Sequence, residues 1–191
     1  MHIAHALFGL LLASPAFAAE PETRAPNHTW TGGEFAIGDQ PDAGQLAGLR
    51  ALGFRAIVNL RHPHEHAEAR EADDARSSGL RYFNLPVGYH PLREETVDAF
   101  LRLTDDPGNR PTFIHCTGRV RASALWMIRR VLRDGWSIDA AQAEALRLGL
   151  GRATSDFAAF AREFLEFRVE YSAGQTTRTW RASPAAERFN P

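Results

Sequence analysis

Short apolar runs alternate along this chain with longer stretches in which apolar residues return at helical spacing. The runs at 35–37, 54–60 (FRAIVNL), 80–87 (LRYFNLPV) and 111–115 (PTFIH) read as buried strands. Between them, Leu46, Leu49 and Leu52 share one face of a helix that Pro41 and Asp42 open and Gly53 stops. Residues 67–76 are rich in Ala, Glu and Arg and read as a helix ended by Gly79. Val97, Phe100 and Leu101 form the inner face of a helix over 94–104, and residues 105–109 make a turn. A helix over 122–133 turns Ala124, Ile128 and Val131 or Leu132 inward, with Arg129, Arg130 and Arg133 expected in water. Ser137 caps a helix that runs to Leu148. A last helix over 155–168 carries Phe157, Phe160, Phe164 and Phe167 along one side, the spacing of core packing. Strand and helix alternation of this kind predicts a single-domain α/β fold, with a mainly parallel central sheet flanked by helices and an extra C-terminal helix.

The two ends break the pattern. Residues 1–19 hold an apolar stretch from Ala6 to Ala13, then Pro15 and a small-x-small site at Ala16-Phe17-Ala18. The stretch is too short to span a bilayer and reads as a removable signal peptide, although His2 and His5 stand where Arg or Lys is usual. This predicts a periplasmic or secreted protein beginning near Ala19 or Glu20, with no stable membrane anchor after processing. Residues 20–30 are expected as an extended lead-in, 31–168 as the domain, and 169–191 as a mobile polar tail.

Composition narrows the chemistry. The 191 residues are 44% hydrophobic and 24% charged, which is globular, and the net charge of −1 gives no field that would gather nucleic acid. Every basic residue is arginine, so a Schiff-base lysine and a Walker-type phosphate lysine are both excluded. A single cysteine excludes an intrachain disulfide, a Cys-rich zinc site and an iron–sulfur cluster.

That cysteine sits in His115-Cys116-Thr117-Gly118-Arg119-Val120-Arg121-Ala122-Ser123, directly after the fourth run. A strand delivers Cys116 to the carboxyl edge of the sheet, where open α/β folds place ligands. The proline-free loop that follows offers backbone N–H groups at a helix start, an arrangement that collects anions and favours the thiolate, the nucleophilic form. Arg121 can present a planar fork to two oxygens of a tetrahedral anion, and Ser123 can donate a hydrogen bond to the thiolate. Arg119 lies mid-loop, where its side chain is expected to point outward.

The stretch resembles the active-site loop of the Cys-based protein tyrosine/dual-specificity phosphatase superfamily, in a bacterial phosphatase-like branch. Gly38-Asp39-Gln40-Pro41, Val58-Asn59-Leu60-Arg61, Leu85-Pro86-Val87 and Arg133-Asp134-Gly135-Trp136 extend the resemblance over residues 30–150. The usual loop has one more residue between Cys and Arg. Here Ala122 holds that arginine position, Arg121 is the equivalent, and Arg119 stands where the loop glycine usually is, with Gly118 one earlier. The resemblance implies hydrolysis of a phosphorylated substrate through a cysteinyl-phosphate on Cys116, with phosphate bound by Arg121 and by a loop of His115, Thr117, Gly118, Arg119, Val120 and Ala122. It implies no cofactor and no metal. The family's acid loop follows a strand such as LPV, yet no carboxylate occurs there before Glu94, which leaves His90 as the proton donor. Arg61, at a strand end, is expected to add positive potential over the pocket.

Two other readings compete. A short loop after Cys also suits a rhodanese-type sulfurtransferase, and the missing acid suits a pseudophosphatase that binds a tetrahedral anion or phosphoprotein without turnover. His62, His64 and His66, with Glu65 and Glu68 nearby, raise a metal site, but Pro63 breaks the strand geometry that would align them, and the reading is a solvated loop.

Overall fold

The computed structural model describes residues 25–65, 68–88, 92–152 and 156–174. In chain order the elements are β1 (His28–Thr31), β2 (Phe35–Gly38), α1 (Ala43–Ala51), β3 (Ala56–Asn59), α2 (Glu68–Ser77), β4 (Arg81–Asn84), α3 (Glu94–Asp105), β5 (Thr112–His115), α4 (Val120–Leu132), α5 (Ile138–Leu148) and α6 (Asp156–Ser172). Short 3-10 turns occupy Pro63–Glu65, Pro107–Asn109 and Leu150–Arg152. The four expected strands appear as β2, β3, β4 and β5, and the polar lead-in contributes the extra strand β1.

The sheet runs in the order β1-β2-β5-β3-β4. β5 lies in its centre, parallel to β2 and β3, β4 pairs in parallel with β3, and β1 is antiparallel to β2. Side-chain alternation along β5 sorts the core into two layers. Phe113 faces α1 and α2 with Leu46, Leu49, Phe54, Ala75 and Leu80. Ile114 and the following Cys116 face the other layer, with Val97, Phe100, Leu125, Ile128 and Phe164. Both faces are covered by helices, which is why these strands read as continuous apolar runs. At the centre of the sheet, a Cβ on Gly38 would lie 2.2 Å from the Phe113 ring, so glycine there is what lets that ring fill the α1–α2 layer.

Sequence chemistry explains where the helices begin. Asp42 caps α1 by accepting from the Gln45 amide at 2.8 Å, and Gln45 Oε1 accepts from the Asp42 amide at 2.9 Å, a reciprocal capping box. Ser137 caps α5 by accepting from Ala140 N–H.

Three expectations need correcting. α4 is buried along most of its circumference, so Arg129 and Arg130 do not lie in water. Arg129 pairs with Asp105 at 2.9 Å and lies over the Phe35 ring, while Arg130 is held between the rings of Trp126 and Trp136 and pairs with Glu144 at 2.8 Å. A guanidinium keeps its charge while stacking on an aromatic face, which lets it occupy sites that look apolar in the pattern. Second, α6 continues to Ser172, past the tail boundary expected at residue 168; Val169 and Tyr171 are exposed on this last stretch. Third, α4 begins at Val120 rather than Ala122. The segment read as a signal peptide lies outside the described residues.

Candidate active site

β5 ends at His115, and Cys116 follows at the carboxyl edge of the central strand, only 1% exposed. Thr117, Gly118 and Arg119 then turn the chain into α4. Arg119 makes the turn with a left-handed backbone, φ +70°, which only glycine adopts without cost. The left-handed position is thus at residue 119, where the family usually has glycine, and not at Gly118. This turn also starts the helix early. The first intrahelical bond runs from Ser123 N–H to the Arg119 carbonyl, 2.8 Å, with no side-chain cap, so the first-turn amides open toward the loop.

A non-glycine residue in this conformation persists only if its surroundings hold it. Arg119 does not point outward, as expected from its mid-loop position; it is nearly fully buried. Its Nε donates to Asp39 Oδ1 at 3.0 Å, Nη2 to Asp39 Oδ2 at 3.3 Å, and Nη1 to Thr29 Oγ1 at 3.4 Å. Gly149 packs against its Cβ. The outward position is unavailable because β1 and the loop after β2 close over residue 119.

Arg121 lies in the first turn of α4 with its side chain fully buried. Nη1 donates to Glu65 Oε1 at 2.6 Å and Nη2 to Glu65 Oε2 at 2.7 Å, a two-bond fork. Nη1 also reaches the Val87 carbonyl and Nη2 reaches Thr117 Oγ1, both at 3.3 Å. These contacts fold the guanidinium back over the Cys116 loop and join it to the segment after β4. The partner carboxylate was not anticipated. Glu65 stands four positions after Arg61 in the loop after β3, and only the sheet order, which makes β3 a neighbour of β5, brings that loop to the site.

Hydrogen bonds from Arg121 hold the Glu65 carboxyl at about 2, against an ordinary 4.5; burial pushes the other way, and the His62 amide and the Arg61 charge assist. A folded-state value below the unfolded one means stability that is complete above about 4.5 and lost as pH falls toward 2. The side chain remains 23% exposed, so the contribution is discounted to about 1–3 kcal/mol. In urea titrations from pH 6 to 2, Glu65→Gln is expected to show a shallower loss of stability than wild type. The residual slope belongs to Asp105 and Glu144, whose carboxyls are also held low: burial opposes this, and Arg133 with Arg129, and Arg130, outweigh it.

Beneath the loop lies a buried polar network. His115 Nε2 lies 3.0 Å from Glu71 Oε1, both of them buried. Glu71 Oε2 accepts from Asn59 Nδ2 at 3.0 Å and from Gln40 Nε2 at 2.9 Å. Arg61 N–H donates to Asn59 Oδ1 and its Nη1 to Gln40 Oε1 at 2.8 Å, while Nη2 donates to the Glu65 carbonyl. Arg61 therefore braces the Glu65 turn, and its charge acts on the Glu65 carboxylate beside Arg121. The Asp39-Gln40 and Asn59-Leu60-Arg61 motifs acquire physical roles here: Asp39 holds Arg119, and Gln40, Asn59 and Arg61 tie the strand ends to Glu71. Glu71 was not anticipated either, since its place on α2 gives no sequence signal of a histidine partner. Glu71 also lines a cleft of about 230 Å³, together with Gln40, Pro41, Leu46, Arg70 and Asp74 among others.

Ser123 does not donate to the thiol. Its Oγ is buried, has no hydrogen-bond partner among the described residues, and lies near Gly149. His62 and His64 stack at 5.3 Å between ring centroids. His66 and the candidate proton donor His90 lie outside the described residues.

A family model described as a DSP-PTPase phosphatase fused to NAD+ kinase matches residues 21–163. The chain belongs to this DSP-PTPase family. A β-lactamase hydrolase-like protein of Agrobacterium fabrum is 31% identical over 104 residues, covering 52% of this chain and 23% of that protein. A Xylella fastidiosa protein of the same description is 29% identical over 128 residues, 63% of this chain and 29% of that protein. The chain thus spans less than a third of these relatives. In fold it is similar to the core catalytic domain of the PP-IP phosphatase SIW14 from S. cerevisiae, with a TM-score of 0.62 at 18% identity, covering 83% of this chain and 100% of that one. Family membership makes this a phosphatase-type domain of the tyrosine/dual-specificity class.

Proposed function

We propose that this DSP-PTPase domain hydrolyses phosphomonoesters through Cys116. The observation that carries this is the Arg121 fork, folded from the first turn of α4 to within 3.3 Å of Thr117, the residue after the cysteine. The Cys116 thiolate attacks phosphorus; an S–P bond forms while the ester O–P bond breaks, and the leaving oxygen takes a proton from the candidate donor His90. Water then attacks the cysteinyl-phosphate, giving a proton back to that donor as S–P breaks and inorganic phosphate and thiolate are released. Loop amides and Arg121 stabilise the charge that develops on the equatorial oxygens. Substrate is a phosphorylated molecule or protein, with no role for nucleic acid. Export through residues 1–19 belongs to the same proposal, and a mature chain beginning near Ala19 or Glu20 in a periplasmic fraction would support it.

The expected result is hydrolysis of a generic aryl phosphate by wild type with EDTA present, and none above background by Cys116→Ser across a pH series. Equal rates in the two proteins would end the enzyme claim. The burial of Cys116 favours a second reading, a domain that binds tetrahedral anions without turnover. A rise in melting temperature with phosphate or vanadate in a protein without hydrolysis would establish it. Sulfur transfer from thiosulfate to cyanide, lost in Cys116→Ser, would instead identify a sulfurtransferase.

A further inference from the structure

Arg119 is the one non-glycine residue that holds a left-handed backbone among the described residues, φ +70°. It stands between Cys116 and Arg121, at the turn from the loop into α4. Glycine would make this turn without cost, so the cost of arginine is offset by what its side chain holds. The guanidinium reaches back to two segments from the start of the chain. Nε and Nη2 donate to the two carboxylate oxygens of Asp39, and Nη1 donates to Thr29 Oγ1 in β1. Asp39 is itself fixed from the lead-in: its N–H donates to the Asn27 carbonyl at 3.0 Å, and its Oδ2 accepts from Asn27 Nδ2 at 3.2 Å. The end of α5 packs against the same residue, since a Cβ on Gly149 would lie 2.6 Å from Arg119 Cβ. Three stretches far apart in sequence thus meet on one loop side chain.

We propose that Arg119 is a positioning residue for the phosphate loop: its side chain latches the turn after Cys116 to Asp39 and Thr29, and so holds the loop amides in binding geometry. The proposal rests on the reading of the Cys116 loop as the phosphate site. Several amides bind one phosphate only when they converge at once. A loop that also samples other turns binds with an affinity reduced to the fraction of molecules in the competent turn. Glycine at residue 119 would permit the left-handed turn without enforcing it, since glycine adopts φ of either sign about equally well. Arginine enforces the turn through Asp39. β1 and the segment after β2 thereby belong to the construction of the site, although all three guanidinium nitrogens of Arg119 already have protein acceptors.

The test is calorimetric titration of inorganic phosphate at neutral pH into wild type, Arg119→Gly, Asp39→Asn, the double variant and Arg119→Lys, beside urea unfolding of each. Arg119→Gly keeps the turn accessible and removes the latch, while Asp39→Asn keeps Arg119 and removes its charged partner. Phosphate affinity is expected to fall on the order of tenfold in either variant and no further in the double variant, because both changes break one device. Arg119→Lys keeps a cation for Asp39 and is expected to stay within about threefold of wild type. A residue that only stabilised the fold would lower the urea midpoint and leave the phosphate affinity of the folded protein unchanged. Wild-type affinity in folded Arg119→Gly and Asp39→Asn, or losses that add in the double variant, would overturn the proposal. Should Arg119→Gly not fold, Asp39→Asn beside Arg119→Lys decides alone. Absence of phosphate binding in wild type as well would overturn the reading of the loop as the phosphate site, and the latch with it.

Discussion

Arg121→Lys is expected to lose most phosphate affinity and nearly all turnover, while Arg119→Lys keeps both within about threefold. The two arginines are two positions apart and both buried, yet they do different work. Arg121 joins Glu65, Val87 and Thr117 through two nitrogens that diverge from one plane. A lysine ammonium is a point charge and cannot span the same oxygens, so the fork is lost even though the charge remains. A charge-assisted bond is worth about 1.5–3 kcal/mol, which is on the order of 10–100-fold in binding. Stability falls as well, since a buried ammonium with incomplete partners pays for desolvation without full return. Arg119 is engaged by Asp39, whose side chain is 31% exposed, and lysine there weakens a pair worth up to about 1 kcal/mol. Phosphate titration and urea unfolding of both variants beside wild type read the two effects separately. Equal losses of phosphate affinity would mean that Arg119 also touches the anion.

Gly149→Ala is expected to destabilise the fold by about 2–4 kcal/mol and to weaken phosphate binding, although residue 149 is remote from Cys116 in sequence. Its backbone has φ +142°, and an added Cβ would lie 2.6 Å from Arg119 Cβ. Arg119 cannot retreat, because its own backbone is left-handed and its guanidinium is held by Asp39 and Thr29. Relief must therefore come from opening the loop that follows Cys116. Gly118→Ala is the control: nothing lies within 4 Å of its Cβ and its φ is not in the left-handed region, so the change is expected to stay within about 0.5 kcal/mol. Denaturant midpoints of the two variants compare the sites directly. If Gly118→Ala proved the more damaging, the left-handed turn would belong to Gly118 rather than Arg119.

The loop around Cys116 was legible in the chain itself, because a strand, a cysteine and a helix start are local features written in consecutive residues. The alternation of strands and helices, the capping of α1 and α5, and the apolar stripe of α6 were legible for the same reason: each depends on neighbours a few positions away. Arg121 as the candidate clamp came from the resemblance of this loop to the phosphatase loop. The partners of these residues did not follow, since partners are set by which strands lie side by side. The order β1-β2-β5-β3-β4 places the loops after β2 and β3 against the end of β5, and so brings Asp39 to Arg119, Glu65 to Arg121 and Glu71 to His115. Those carboxylates are separated from their arginines and histidine by dozens of residues, and no periodicity connects them. The directions of Arg119, Ser123, Arg129 and Arg130 were misread in the same way. A helix wheel assigns an arginine to water, but a central helix leaves no face for water, and the charge is accommodated by carboxylates and aromatic rings that only the folded chain supplies. Sequence thus determined the cysteine loop and the layered fold; tertiary structure decided that Glu65 meets Arg121 and Asp39 meets Arg119, because the strand order sets which loops lie side by side.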